Sequence, residues 1–254
     1  MFLAINIGNT STTIGLFEGT ELLGSFRIES SRAATADECG ILIHQFLRDR
    51  AGQDYAVEKI GICSVVPPLT DIYVAMAEKY FKIKPLLLDH NSKLGFRILY
   101  ELPEQVGADR LANVAAARAL YGYPSIIVDL GTATTYDVID GNGDFAGGLI
   151  SPGVWTSASS LSEKASKLFP VKIEKPDKVI ATDTANSIKS GLYYGFIGQT
   201  EYLVNLIKRN MNAGNIKVIA TGGFSDIFID RGTEVIDYVE PLLTLKGIRI
   251  VFDV

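Results

Sequence analysis

The chain has 254 residues, enough for two domains of ordinary size or one large one. Hydrophobic residues make up 47% and charged residues 21%, the balance of a globular protein with a substantial core, and the formal charge is 24 − 29 = −5 without a basic tract. Phosphate neutralisation needs clustered Lys and Arg, so nucleic acid is excluded as an expected partner.

The first predicted element is a strand in the opening run Met1-Phe2-Leu3-Ala4-Ile5, cut short by Asn6, Gly8 and Asn9. It is too short for a signal segment and has no positive region before it, and no window approaches the ~18 apolar residues of a membrane span. No membrane partner is therefore expected, and the chain reads as cytoplasmic. Residues 4–17 (AINIGNTSTTIGLF) return in residues 127–140 (IVDLGTATTYDVID), a spacing of 127 − 4 = 123 that sets Asn6 against Asp129, Gly8 against Gly131 and Thr12 against Thr135. Each copy is an apolar strand, a polar glycine-bearing turn and a β-branched strand, and a third strand follows each at 22–28 and 145–150. Such a repeat predicts a duplicated fold with two similar lobes.

Helical periodicity marks 36–50, then 70–81 with Thr70 as N-cap, then 104–121 up to the stop at Gly122 and Pro124. The longest helix is predicted over 183–208. Its glycines Gly191, Gly195 and Gly198 would each cost about 1 kcal/mol against alanine, which predicts tight packing on that face. Strands are expected at 59–65, 86–89, 125–129 and 217–221, and their alternation with helices gives mixed α/β architecture. Cys39 and Cys63 lie in apolar surroundings and read as buried free thiols, and two distant histidines make no zinc pattern.

Chemistry concentrates in the turns. In Asn6-Ile7-Gly8-Asn9-Thr10-Ser11-Thr12-Thr13, Gly8 admits close backbone approach, and the following residues offer amide, hydroxyl and N–H donors that could cradle a polyphosphate. No G-x-x-x-x-G-K-[ST] stretch supports a Walker-type site. Asp129 ends the apolar run Ile126-Ile127-Val128, a costly place for a charge unless it meets a cation or a donor. Asp109 and Arg110 open a helix, where Arg110 could fork onto a carboxylate and Asp109 could accept a hydroxyl proton.

In order, GNT, CSVVPP (63–68), VGADRLAN (106–113), DLGTATTYD (129–137), GGLISPG (147–153) and LKGI (245–248) resemble the type III pantothenate kinase family over nearly the whole chain. The resemblance implies an α/β fold of two similar actin-like, ribonuclease H-like lobes, 1–118 and 119–254, with mixed sheets flanked by helices and a ligand cleft between them. It implies transfer of the ATP γ-phosphoryl group to the 4′-hydroxyl of pantothenate, the first committed step of coenzyme A synthesis. Mg2+, a monovalent cation (K+ or NH4+) and a homodimer are implied too.

Carried over by residue, Asp109 is the base, and Tyr100, Gly107, Ala108, Arg110 and Thr184 contact the substrate. Asn6, Gly8, Asn9, Thr10, Ser11, Thr12, Thr13 and Thr132 bind ATP, Asp129 binds the monovalent cation, and Thr221-Gly222-Gly223 lies near the adenosine end. One position departs: the family reads D-x-GNT, and here Asn6 stands in place of the acid. That substitution keeps open a catalytically impaired, ligand-binding regulator, while retained Asp109 and Arg110 argue for an enzyme. A kinase for another small hydroxylated acid is the third reading.

Overall fold

In the computed structural model, which describes residues 1–52, 55–228 and 233–252, the repeated segments become the first three strands of two separate five-stranded sheets. Two compact units carry them: Met1–Ala119 together with the last helix from Thr244, and Leu120–Leu243. Residues 244–252, expected with the C-terminal lobe, thus pack in the first unit.

The first sheet has the order β3-β2-β1-β4-β5, from β1 (Phe2–Ile7), β2 (Ser11–Glu18), β3 (Glu21–Glu29), β4 (Lys59–Ser64) and β5 (Leu86–Leu87). Strand β1 runs antiparallel to β2 and parallel to β4. The second sheet repeats that order as β8-β7-β6-β9-β10, from β6 (Ser125–Leu130), β7 (Ala133–Ile139), β8 (Phe145–Pro152), β9 (Lys217–Thr221) and β10 (Tyr238–Val239). The likeness extends to defects. Leu23 is the unpaired bulge residue between β2 and β3, and Ala146 is its counterpart between β7 and β8. Bulges are specified features, so two in the same place support duplication of one unit.

Register corrects one pairing drawn from the sequence. Ile7 faces Thr12 and Leu130 faces Thr134, so the counterpart of Thr12 is Thr134 rather than Thr135. The first turn closes from Gly8 to Ser11 and the second from Gly131 to Ala133, which shifts the second strand by one residue.

Alternation in β1 sends Leu3, Ile5 and Ile7 to one face, where they meet Ile14, Leu16, Ile60 and Ile62. That face packs on α1 (Ala36–Ala51) and α2 (Pro67–Met76) through Cys39, Ile43, Leu47, Leu69, Tyr73 and Met76. Helix α1 begins at a capping box in which Thr35 and Glu38 bond each other's backbone N–H groups. Helix α2 starts three residues before the expected N-cap, because Pro67 and Pro68 suit the first turn; Thr70 Oγ1 instead lies 2.7 Å from Ser64 Oγ. It ends in a π-helical turn, Ala77–Phe81.

The opposite face of the sheet receives α6 (Leu243–Phe252). A Cβ at Gly61 would come 2.7 Å from Phe252 and 2.9 Å from Ile248, and one at Gly15 would come 2.8 Å from Leu245. Helix α6 crosses α3 (Ala108–Leu120) so closely that a Cβ at Gly247 would sit 1.9 Å from the Ala112 carbonyl oxygen. The helix predicted from 104 begins only at Ala108, after a separate 3-10 turn at Pro103–Gln105.

In the second unit Ile126, Val128 and Leu130 pack on Tyr193, Ile197, Val204 and Ile207 of α5 (Thr184–Met211). Asp183 is the N-cap of α5 and accepts the Asn186 N–H at 2.9 Å. The expected tight packing at Gly191, Gly195 and Gly198 is absent: a Cβ at any of the three would meet nothing within 4 Å. Helix α4 (Val154–Lys164) completes the unit. Both cysteines are buried free thiols. Among the described residues no helix is long and apolar enough to cross a membrane.

Candidate active site

Strands β1 and β6 share one burial pattern, four buried residues, one partly exposed and one buried. The partly exposed positions are Asn6 and Asp129. Asn6 faces Thr13 on β2 and Cys63 on β4, while Thr13 in turn faces Arg27 on β3. Directly paired residues point to the same side of a sheet, so Arg27, Thr13, Asn6 and Cys63 form a row across the α6-bearing face. Arg27 donates Nε–H to Thr13 Oγ1 at 3.3 Å.

Beyond Asn6 the chain turns at Gly8, whose N–H reaches the Ser11 carbonyl at 3.1 Å. Asn9 and Thr10 are exposed at the tip. The Thr10 carbonyl accepts the Ser30 N–H at 3.0 Å, which ties the tip to the end of β3. Thr12 points the other way, fully buried, with Oγ1 2.9 Å from Ser30 Oγ and a hydrogen bond to the Tyr73 phenol. Its side chain braces the turn from behind; Tyr73's own burial pushes its phenol up, and the bond to Thr12 partly offsets that.

Helix α3 brings Asp109 to the same region. The backbone N–H of Val65, just past β4, bonds the Ile7 carbonyl at 3.1 Å. A Cβ at Gly107 would lie 3.6 Å from Val65 Cγ1 and only 2.6 Å from Asp109 Oδ1, so glycine is what lets that carboxylate fold back beside the strand ends. Burial pushes the Asp109 carboxyl above its ordinary range, partly offset by the Arg110 N–H, which it accepts at 2.8 Å, and by the Arg110 guanidinium. The fully buried Cys63 thiol is raised by burial and, secondarily, by the charge of Asp109. Arg110 is buried, donates Nη1–H to the Tyr100 hydroxyl at 3.1 Å and lies 5.5 Å from that ring's centre. Tyr100, Gly107, Ala108, Asp109, Arg110 and the turn at 6–13 therefore all belong to the first unit.

Asp129, Thr132 and Thr184 belong to the second. Asp129 faces Thr221 on β9 and Thr135 on β7. Its Oδ1 is so close to Gly222 that a Cβ there would come within 2.4 Å, and Gly222 also holds φ +92°, so only glycine serves. Among the described residues the buried Thr221 and Thr134 hydroxyls have no hydrogen-bond partner. A carboxylate beside an unpartnered buried hydroxyl suits an oxygen-seeking cation. The carbonyl of Thr132 accepts Gly153 N–H at 3.0 Å and Thr156 Oγ1–H at 2.6 Å, fixing the second turn against the start of α4. Thr184 is exposed and lines an open depression of about 710 Å³ with Leu161, Leu168, Asp183, Ser187 and Leu192.

Sequence reading passed over Arg27, Gly153 and the orphaned hydroxyl of Thr221. Gly153 closes a quoted motif, and Thr221 was placed only at the adenosine end. An exposed strand arginine carries no signal by itself.

The model of the family described as type III pantothenate kinase matches residues 2–206. A type III pantothenate kinase of Agathobacter rectalis is 44% identical over 253 residues, 99% of this chain and 96% of its own. Among solved structures, a conserved Campylobacter jejuni protein described as a Baf family transcriptional activator aligns at 19% identity and TM-score 0.59, covering 99% of this chain and 97% of that one. The ROK hexokinase of Thermus thermophilus aligns at 13% identity and TM-score 0.50, over 98% and 97%. These structural likenesses speak for the two-lobed actin-like fold alone. From the family match and the near-full-length identity together, the chain belongs to the type III pantothenate kinase family.

Proposed function

We infer that Asp109 is the general base of the pantothenate kinase reaction that this chain, as a family member, carries out with ATP. The carrying observation is the position of its carboxyl beside the ends of β1 and β4: Gly107 sits against both Asp109 Oδ1 and Val65, whose N–H bonds the Ile7 carbonyl. A carboxyl pushed up by burial holds a proton better than an ordinary aspartate, which suits it to accept one from an alcohol. In the step, the pantothenate 4′-oxygen bonds phosphorus as its proton passes to Asp109. The bond between phosphorus and the β,γ-bridging oxygen breaks, and ADP leaves with that electron pair. Arg110 holds the substrate carboxylate, steadied by Tyr100, and Gly107 and Ala108 line the approach. Thr184 is the further substrate contact.

The turn from Asn6 to Thr13 and the second turn at Thr132 hold the ATP phosphates through backbone N–H groups and hydroxyls. A divalent ion, when bound, neutralises charge on the β and γ oxygens. Asn6 and Thr13 offer it an amide oxygen and a hydroxyl, a neutral pair suited to contact through water. Asp129 with the Thr221 hydroxyl would hold the monovalent cation, K+ or NH4+.

The protein acts as a homodimer through α5, where Gly191, Tyr194, Gly195, Gly198 and Tyr202 form an exposed stripe at helical spacing with open space over the glycines. Sedimentation equilibrium tests this, and a monomer at micromolar concentration refutes it. Two unpaired buried thiols accord with the cytoplasm.

The decisive assay couples ADP release to pantothenate addition with Mg2+ and K+. Asp109→Asn is expected to lower kcat by on the order of 10²–10⁴-fold. Equal turnover by the folded variant would remove Asp109 from the role.

A further inference from the structure

We infer that Arg27 binds the γ-phosphoryl group of the nucleotide and stabilises it in transfer, an inference that rests on reading the turn at 6–13 as the phosphate cradle. The placement comes from register. Arg27 heads the row that continues through Thr13 and Asn6 to Cys63, and Asp109 lies beyond Cys63, where Gly107 touches both its Oδ1 and Val65 just past β4. Its Nε–H is held by Thr13 Oγ1 at 3.3 Å, so the side chain leans across β2 toward Asn6 rather than out from the sheet edge.

The residue is exposed on a sheet face otherwise devoted to packing by α6. Among the described residues it makes no ion pair, even though Glu29 stands two positions on along the same face. The bond to its cross-strand partner Thr13 engages Nε alone. The tether leaves both terminal nitrogens, four N–H donors in a planar fork, presented along the row.

Spacing agrees with the chemistry. Neighbouring strands are about 4.8 Å apart, so a guanidinium over β2 and a carboxyl beyond β1 near β4 stand about 10 Å apart. A phosphoryl group in flight, with an attacking hydroxyl on one side and a hydrogen-bonding cation on the other, spans about the same distance. Arg27 would then donate to equatorial oxygens of the γ-phosphoryl group while Asp109 takes the alcohol proton. Positive charge at that point is worth most in the transition state, when charge builds on the transferring oxygens.

The test uses the full chain, Arg27→Gln and Arg27→Lys, with Mg2+ throughout. Calorimetry compares ADP with the β,γ-imido analogue of ATP. Arg27→Gln is expected to bind the analogue about 10-fold more weakly and ADP within twofold of the parent, with Arg27→Lys between. In turnover, kcat should fall by about 100-fold with the KM for pantothenate within threefold. The ligand-free melting temperature should fall by no more than about 2–4 °C, the loss of the single bond to Thr13. Equal binding of the analogue by parent and Arg27→Gln, or equal weakening for both nucleotides, overturns the inference. That comparison needs no turnover. If the parent fails to phosphorylate pantothenate, the substrate reading fails while the role of Arg27 is still decided by the two nucleotides.

Discussion

Replacing Gly153 by alanine isolates how tightly the second turn, the proposed phosphate contact at Thr132, is held. Gly153 has φ −77° and ψ 170°, a conformation alanine adopts freely, so backbone strain contributes nothing. Contact is the whole effect. The added Cβ would lie 2.2 Å from the Gly131 carbonyl oxygen and 2.6 Å from that of Thr132, both backbone atoms that cannot rotate aside. A carbon and a carbonyl oxygen settle at about 3.3 Å or more, so turn and helix must part by about 1 Å. Overpacking of that kind costs about 3 kcal/mol, which lowers the melting temperature of a chain this size by about 6–12 °C. A 1 Å displacement of a positioning element also costs about 100-fold in kcat/KM, and the loss should fall on ATP more than on pantothenate. Gly141→Ala in the same unit is the control, since a Cβ there meets nothing within 4 Å. Calorimetric melts and steady-state kinetics on both variants decide the matter. If Gly153→Ala melts with Gly141→Ala and keeps its ATP kinetics within threefold, the second turn is not held as described.

The raised carboxyl of Asp109 carries a sign for both rate and stability. In the proposed role its base form is needed, so kcat/KM should fall as pH drops through a value above the ordinary aspartate range, and an acid limb at or below about pH 4 would count against it. The folded state holds that proton more tightly than the unfolded one. This contribution is thus full below the unfolded pKa and lost as pH rises through the folded value, and Asp109→Asn should melt above the parent at neutral pH while losing activity. Tyr100→Phe removes the acceptor of a charged donor, worth about 1.5–3 kcal/mol, and should raise the KM for pantothenate by about 10–100-fold with kcat little changed; an unaltered KM would detach Tyr100 from substrate positioning. Asn6→Asp should lower the Mg2+ concentration for half-maximal rate by about 10-fold, measured at saturating ATP and pantothenate, and an unmoved midpoint would mean that position 6 does not sense the ion.

Much of the fold could be read because its signals are local. Alternating apolar runs, glycine turns and the repeat at 4–17 and 127–140 gave both hairpins, and the structure adds that even the bulges match. The failures share a cause. Helix α4 carries only Val154, Ala158 and Leu161 along its apolar side, a three-residue stripe set among serines that is too thin to mark a helix in sequence. Helix α6, a ten-residue apolar segment interrupted by Gly247, has no periodicity long enough to betray it. The glycine stripe on α5 was read as packed because spacing tells which face a residue occupies but not what covers it. Asp109 and Arg110 stood out through the motif around them. Arg27 and Thr221 could not, since their meaning depends on which residue stands across the strand gap.

That gap also explains how two copies of one frame diverge in chemistry. Strands β1 and β4 present Asn6 beside Cys63, and β6 and β9 present Asp129 beside Thr221, at equivalent register positions. The second pair combines a carboxylate with a hydroxyl that has no hydrogen-bond partner among the described residues, the oxygens of the proposed cation site. The first pair is an amide and a buried thiol next to the proposed base. A carboxylate at position 6 would stand on the register partner of Cys63, whose thiol already feels the charge of Asp109, and such a like charge would push further up a carboxyl already raised by burial. Asparagine keeps the shape and an acceptor oxygen without that field. It follows that the acidity of Asp109 in this chain is set by burial and Arg110, with little contribution from position 6.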